Sequence, residues 1–270
     1  MNSNYKNEVL YYTFPNWENS DYMIHGFSSR ECGVSTGYYS SLNLGLKTGD
    51  DMDNIKANYE IFFKTLGLDI NSIVIPELAH GNDIGNVTKK DAGSGLLTPY
   101  VYLETDGLLT NEKGVSLVAT FADCVPVFFT DPVKKVVGIA HCGWRGCANG
   151  LAGKMVDRMI SDYECDVKDI EVGIGPSIGM CCFEVDIDVF MEFVELPFLT
   201  EGWYFENDDE TKYNIDLWRV LHDNLIYKGV SEDKITISGL CTCCNNDIFF
   251  SHRFTKGKRG TMAGVIALIP

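Results

Sequence analysis

Hydrophobic and polar positions along the chain change period several times. Residues 125–130 and 136–140 are short apolar runs rich in Val, Phe and Ile, separated by Asp131-Pro132. This pattern predicts two neighbouring strands joined by a turn. Further strands are predicted over residues 71–76, 84–88, 170–174, 235–239 and 263–269. Three β-like runs fill residues 100–130, and the stretch 111–114 reads as a hairpin turn between the first two. Elsewhere the spacing is helical. Ile55, Tyr59, Phe62, Phe63 and Leu66 make one stripe over residues 53–66, with Asp53 as cap and Gly67 as stop. Leu151, Met155, Met159 and Tyr163 mark a helix after Gly150, and residues 185–195 and 215–228 predict two more. A short apolar run ends at His25-Gly26-Phe27. The segment after it, up to residue 46, carries too many Gly, Ser and Tyr residues for a regular element. Strand pairs with intervening helices predict an α+β fold, mixed β-sheets layered with helices, rather than a doubly wound parallel sheet. One large domain over residues 1–270 is expected.

Composition narrows the classes of partner. A net charge of −16 argues against nucleic-acid and anionic-membrane surfaces, which call for basic faces. An apolar share of 45% suffices for a sizeable core. Two acidic runs, at 50–53 and 206–210, read as solvated loops. No run is long enough for a transmembrane helix, and the first residues lack the apolar centre of a signal peptide. A cytoplasmic protein is therefore expected, and its ten cysteines read as thiols rather than a disulfide framework.

Candidate chemistry gathers around residues 119–150. Cys124, preceded by Asp123, stands just before one strand, and His141 just after the next. His80 lies in a polar turn before Gly81. Two imidazoles and a thiolate suit zinc with its fourth tetrahedral position open, which is the catalytic rather than the structural arrangement. The spacing alone is too wide to decide between that centre and three unrelated side chains. Gly143-Trp144-Arg145-Gly146 opens a helix expected at about 147–150, a candidate phosphate cradle with Arg145 as its fork. The remaining histidines, His25, His222 and His252, are expected to be structural, with His252 a possible support for the site. The Cys241–Cys244 stretch contains C-x-x-C, but Cys181 and Cys182 are adjacent rather than spaced as a second pair, so these read as structural thiols.

A series of short motifs extends over nearly the whole chain. It runs through H-G-F-S-S-R at 25–30, S-L-N-L-G at 41–45, H-G at 80–81 and T-D-G-L-L-T-N at 105–111. It continues with A-D-C-V-P-V at 122–127, A-H-C-G-W-R-G at 140–146, G-I-G-P-S-I-G-M-C-C-F-E-V at 173–185, G-L-C-T at 239–242 and F-F-S-H-R at 249–253. In this series the chain resembles the YfiH family, also called laccase-domain or polyphenol oxidase proteins. The resemblance implies a fold similar to that of bacterial toxin deamidases, and metal ligation by His80, Cys124 and His141. It implies activity on purine nucleosides: phosphorolysis of adenosine, inosine, guanosine and methylthioadenosine, and deamination of adenosine. A bacterial branch is linked to peptidoglycan precursor editing, and an older description makes the family a copper-dependent polyphenol oxidoreductase. The family usually has Gln where Leu78 stands here.

These implications can be weighed on residues. Five histidines with no His-x-His pair do not supply the trinuclear copper cluster of an ordinary laccase. A single Cys/His₂ site still accepts copper as well as zinc. The H-x-E and P-C-x-x-C signature of zinc deaminases is absent. The expected roles are zinc on His80, Cys124 and His141, proton transfer by Asp123, and phosphate held by Arg145 and Arg30. The long loop that carries Arg30 is expected to form the wall of the pocket opposite Cys124 and His141. One rival reading is a cysteine hydrolase or amidase with Cys124 as nucleophile and His141 as base. Another is a non-catalytic binding protein that presents this site to a partner.

Overall fold

The structure is a computed structural model describing residues 1–207 and 211–269. Two six-stranded sheets lie face to face. The first runs in spatial order β1 (Asn2–Lys6), β2 (Val9–Thr13), β3 (Met23–Ser28), β15 (Met262–Leu268), β7 (Ser116–Phe121), β4 (Ile73–Val74). The second runs β14 (Ile235–Ile237), β10 (Glu171–Ile174), β8 (Val125–Asp131), β9 (Val136–Cys142), β6 (Gly107–Thr110), β5 (Ile84–Asn86). A small third sheet joins β11 (Glu184–Asp186), β13 (Lys212–Ile215) and β12 (Tyr204–Glu206). The helices are α1 (Met52–Leu66), α2 (Trp144–Ala148), α3 (Leu151–Tyr163), α4 (Ile187–Val194), α5 (Leu217–Tyr227) and α6 (His252–Thr255).

Side-chain alternation explains the layering. In β7, Leu117, Ala119 and Phe121 face the second sheet, while Val118 joins Tyr59, Phe62 and Phe63 of α1 on the outer side. In β8, Val125, Val127 and Phe129 pack on α3 and α5, and Phe128 fills the space between the sheets. The order is therefore helix, sheet, sheet, helices. The central strands β8 and β9 are buried on both faces, so they read as continuous apolar runs. Phe128 is fully buried and meets Phe14 edge-on at 5.5 Å. Phe128→Ala should cost about 3–5 kcal/mol of unfolding free energy in chemical denaturation, because neither sheet can move in to fill the cavity. His25 is structural, as expected: its buried Nε2 accepts from the Phe14 N–H at 2.8 Å.

The predicted α+β class is observed, and β8 and β9 pair antiparallel as expected. Several local expectations are corrected. Helix α1 starts one residue early, and its cap is Asp51, whose carboxylate accepts from the Asp53 N–H. Asp50 is not free in solvent either; it accepts from Ser35 Oγ at 2.6 Å and Asn43 Nδ2 at 2.9 Å. In the second acidic run Glu206 ends β12, while residues 208–210 lie outside the described residues. Residues 111–114 do not turn a hairpin. They carry the chain from β6 in the second sheet to β7 in the first. Both strands are buried on both faces, so the apolar pattern offered no sign that their partners lie in different sheets.

Candidate active site and metal centre

Three more times the chain crosses between the two sheets, and two of these crossings supply a candidate ligand. After β4 leaves the first sheet, residues 75–83 lead to β5 in the second and carry His80. After β7, residues 122–124 lead to β8 and carry Cys124. His141 follows Val137 and Ile139 in the alternation of β9, so its ring continues the inter-sheet face and meets Phe121 at 5.5 Å. Its periodicity is thus that of the core strand, which it extends. The three side chains converge at this end of the sandwich, their ligand atoms within 4.8 Å of one another. The His80 and His141 rings stand edge to face, 4.8 Å apart. Gly143 permits the approach: a Cβ there would lie 3.1 Å from His80 Cδ2 and 3.5 Å from Cys124 Sγ.

Asp106 organises both histidines. One carboxylate oxygen accepts from the His80 N–H at 3.1 Å and faces His141 Nδ1 at 2.9 Å. The other accepts from the N–H groups of Gly81 (2.7 Å) and Ala79 (3.2 Å). The first contact leaves His141 Nε2 as the nitrogen for a metal, the carboxylate–histidine arrangement of many metal sites. The second fixes the turn in which His80 adopts a left-handed φ of 58°. Burial alone would raise the Asp106 carboxyl, but the His141 contact and the backbone donors hold it below its ordinary range.

Cys124 and His141 form a charged pair. Scarcity of water pushes the Cys124 thiol up, but the His141 imidazolium and hydrogen bonds from both histidines bring it down from 9.0 to about 6. Burial depresses His141, yet the Cys124 thiolate and Asp106 raise it to about 10. The sign gives a test on metal-free protein. The thiolate is the reactive form, so iodoacetamide labelling of Cys124 should stay fast as the pH falls to about 6 and decline below it. An ordinary cysteine loses reactivity already below about pH 8.5.

Two clefts meet at this centre, sharing His80, Ala122, Cys124 and Arg259. The first, about 210 Å³, is lined on its far side by residues 45–48, Tyr100 and Thr120. The second, about 420 Å³, is walled by Trp144, Ile178, Phe183 and Leu217, with His252 and Arg253 at its edge. The second lies within the range of about 300–1,000 Å³ common for small-molecule sites.

The long loop after β3 does supply a wall of the first cleft, through residues 45–48 rather than through Arg30. The guanidinium of Arg30 donates twice to the Ser40 carbonyl and once to that of Asn246, and lies over Phe250. These bonds pin the loop and leave no fork aimed at the centre. Arg145 belongs to α2, because the helix begins three residues before its expected start. It is exposed and lies over Trp144 at 4.1 Å. Asp123 stands at a left-handed φ of 86° where the strand breaks, and its buried carboxylate is fully engaged. It accepts from Thr242 Oγ1 at 2.7 Å, Ser251 Oγ at 3.1 Å and the Arg253 N–H at 2.7 Å. That geometry makes Asp123 a pivot for three segments, and the residue also lines the second cleft.

Two residues escaped the sequence. Asp106 lay inside a quoted motif without a role. Arg259 lines both clefts, its Nη2 is 3.3 Å from His252 Nδ1, and its buried Nε meets no acceptor among the described residues. Leu78, where Gln was expected, lines the first cleft. The structure also brings Cys181, Cys182, Cys241 and Cys244 together, which their spacing did not suggest.

The sequence profile described as multi-copper polyphenol oxidoreductase laccase matches residues 24–269. The chain belongs to this laccase-domain family. Among relatives of the laccase-domain chain, "Purine nucleoside phosphorylase YlmD" of Bacillus subtilis is 35% identical over 252 residues, covering 93% of this chain and 90% of that protein. The protein of the same name from Geobacillus stearothermophilus is 37% identical over 247 residues, covering 90% and 89%. The crystal structure of Geobacillus stearothermophilus YlmD superposes with a TM-score of 0.91 at 35% identity, covering 97% of this chain and 96% of that one. That of the Bacillus licheniformis hypothetical protein YfiH gives the same TM-score and identity over 96% of both chains. Among the described residues no helix is long and apolar enough to cross a membrane.

Proposed function

We propose that this laccase-domain chain is a metal-dependent purine nucleoside phosphorylase acting on inosine, adenosine, guanosine and methylthioadenosine. The observation that carries the reading is the Cys124/His80/His141 centre, oriented by Asp106, at the junction of two clefts. The name borne by the Bacillus and Geobacillus relatives supports it. Two imidazoles and one thiolate fit zinc, and copper competes for the same donors. One such centre in a chain without a His-x-His pair does not fit a multicopper oxidase, whatever the family's title.

In phosphorolysis a phosphate oxygen bonds to the anomeric carbon as the bond to purine N9 breaks. The electron pair leaves with the base, which takes up a proton. Arg259 holds the phosphate, since it is the half-buried cation common to both clefts and its buried Nε has no acceptor among the described residues. Trp144 and Phe183 offer faces on which the purine stacks, and Thr120 lines the cleft left for ribose. Asp106 keeps His141 in one tautomer and one orientation. A bound zinc ion supplies Lewis acidity at the meeting point of the two clefts.

The test is a nucleoside panel with and without phosphate. Release of hypoxanthine together with ribose 1-phosphate, dependent on phosphate, is expected from inosine. Base release at the same rate without phosphate would replace the reading by hydrolysis. Inosine formed from adenosine in the same panel would reveal the deamination activity, a finer part of this proposal. A cysteine hydrolase is the second reading, favoured by one observation: Cys124, His141 and Asp106 stand in the order nucleophile, base and orienting acid. Protection of Cys124 from alkylation by added zinc, with turnover rising in parallel, excludes it.

A further inference from the structure

The four thiols behind the second cleft do not behave as structural cysteines. Free cysteines that serve packing are buried, yet Cys181 and Cys244 are exposed and Cys182 is partly so; only Cys241 is buried. Their sulfurs nevertheless lie within 4.8 Å of one another. Cys244 Sγ is 3.5 Å from that of Cys181 and 3.4 Å from that of Cys182. A disulfide needs about 2.05 Å and takes only two of the four. Four thiolates around one zinc ion, each about 2.3 Å from it, sit about 3.8 Å apart. The two Cys244 distances fall slightly short of that value, and all four sulfurs lie within 4.8 Å of one another.

We propose that Cys181, Cys182, Cys241 and Cys244 form a second metal site, binding one zinc ion through four thiolates. A [4Fe–4S] cluster would place each sulfur on a different iron and a [2Fe–2S] cluster would divide them two and two between its irons, and sulfurs packed this closely around one point leave room for neither. The outer contacts suit a thiolate centre: the Gly179 N–H donates to Cys241 Sγ at 3.2 Å. All four positions are filled by the protein, so the site is closed and structural rather than catalytic.

Its place in the fold gives it a task. Cys181 and Cys182 sit on the turn after Gly179, and Cys241 and Cys244 on the loop that follows β14. These two segments are otherwise joined by a short bridge between Ser177 and Cys241. The first segment supplies Ile178 and Phe183 to the second cleft. The second supplies Thr242, which donates to Asp123 beside Cys124. Arg253 donates to the Cys182 carbonyl, adding the cleft edge to the same assembly. The ion would clamp the aromatic wall of the cleft to the segment that carries Cys124. This inference stands on the cysteine geometry and does not depend on the nucleoside reaction.

The full chain, stripped of metal under reducing conditions and reloaded with zinc, should hold about two ions per molecule. Cys124→Ser should lower that to about one, and Cys244→Ser should also leave about one. Cobalt loading of Cys124→Ser should give the intense sulfur-to-cobalt charge-transfer absorption of a thiolate site, with Cys181→Ser added on that background abolishing it. Should Cys244→Ser fail to fold, the spectrum of Cys124→Ser decides, because that variant leaves the cluster untouched. Cobalt-loaded Cys124→Ser without thiolate absorption, or with absorption unchanged by loss of Cys181, overturns the proposal.

Discussion

Replacing Cys124 with serine should lower phosphorolysis of inosine by about a thousandfold or more in kcat/KM and remove one metal equivalent. Cys124 is the only thiolate of the centre, and a neutral hydroxyl neither balances the charge of a divalent ion nor matches its softness. Losing the several kcal/mol of electrostatic stabilisation that such an ion supplies corresponds to three or more powers of ten, at about 1.36 kcal/mol for each. The fold should survive, since serine is nearly isosteric with cysteine and the side chain lines both clefts at the edge of the inter-sheet core. Steady-state kinetics, metal content and the thermal midpoint measured together check this. Full turnover with the metal lost would end the metal-dependent mechanism.

Asp106→Asn should weaken metal binding at the same centre by about 10–100-fold. The substitution is nearly isosteric, so the loss follows from hydrogen-bond polarity. Both carboxylate oxygens accept, one from the His80 N–H with His141 Nδ1 beside it, the other from Ala79 and Gly81. An asparagine has one acceptor. Turned one way, its NH₂ opposes the N–H groups of the His80 turn; turned the other, it drives His141 to the wrong tautomer. Metal titration against a competing chelator measures the effect. Unchanged affinity would show that Asp106 serves the turn alone.

The layers of this protein were legible because apolar runs are local. Each strand of the central hairpin and the stripes of α1, α3 and α5 can be read from neighbouring residues. Pairing across sheets is not local, and the 111–114 crossing was accordingly mistaken for a hairpin. The same limit applies to the site. Cys124, His141 and His80 stood out at strand ends and in a polar turn, but their wide spacing did not join them; only family likeness did. Asp106 had no pattern of its own, because its function is to receive four contacts from residues 79–81 and 141. Arg30 and Arg145 were chosen as cations near glycines, but one is spent on backbone carbonyls and the other rests on its neighbouring tryptophan. Arg259 occupies an unremarked loop before the last strand. For the cysteine cluster, spacing rules look for one pair per loop two residues apart, and the adjacent pair at 181–182 does not match them.

The placement of β15 bears on how the active centre comes into being. In the first sheet β3 and β7 are not hydrogen-bonded to each other; each pairs with β15. The segment just ahead of that strand carries Arg259 and Thr261, which line the first cleft. A nascent chain that has emerged only as far as residue 255 holds all three candidate metal ligands but has two unjoined half-sheets and no arginine in the first cleft. Completion of the sheet and arrival of the last cleft residues are one event. Loading of a metal ion during synthesis would then precede competence for substrate, with the final strand acting as the latch.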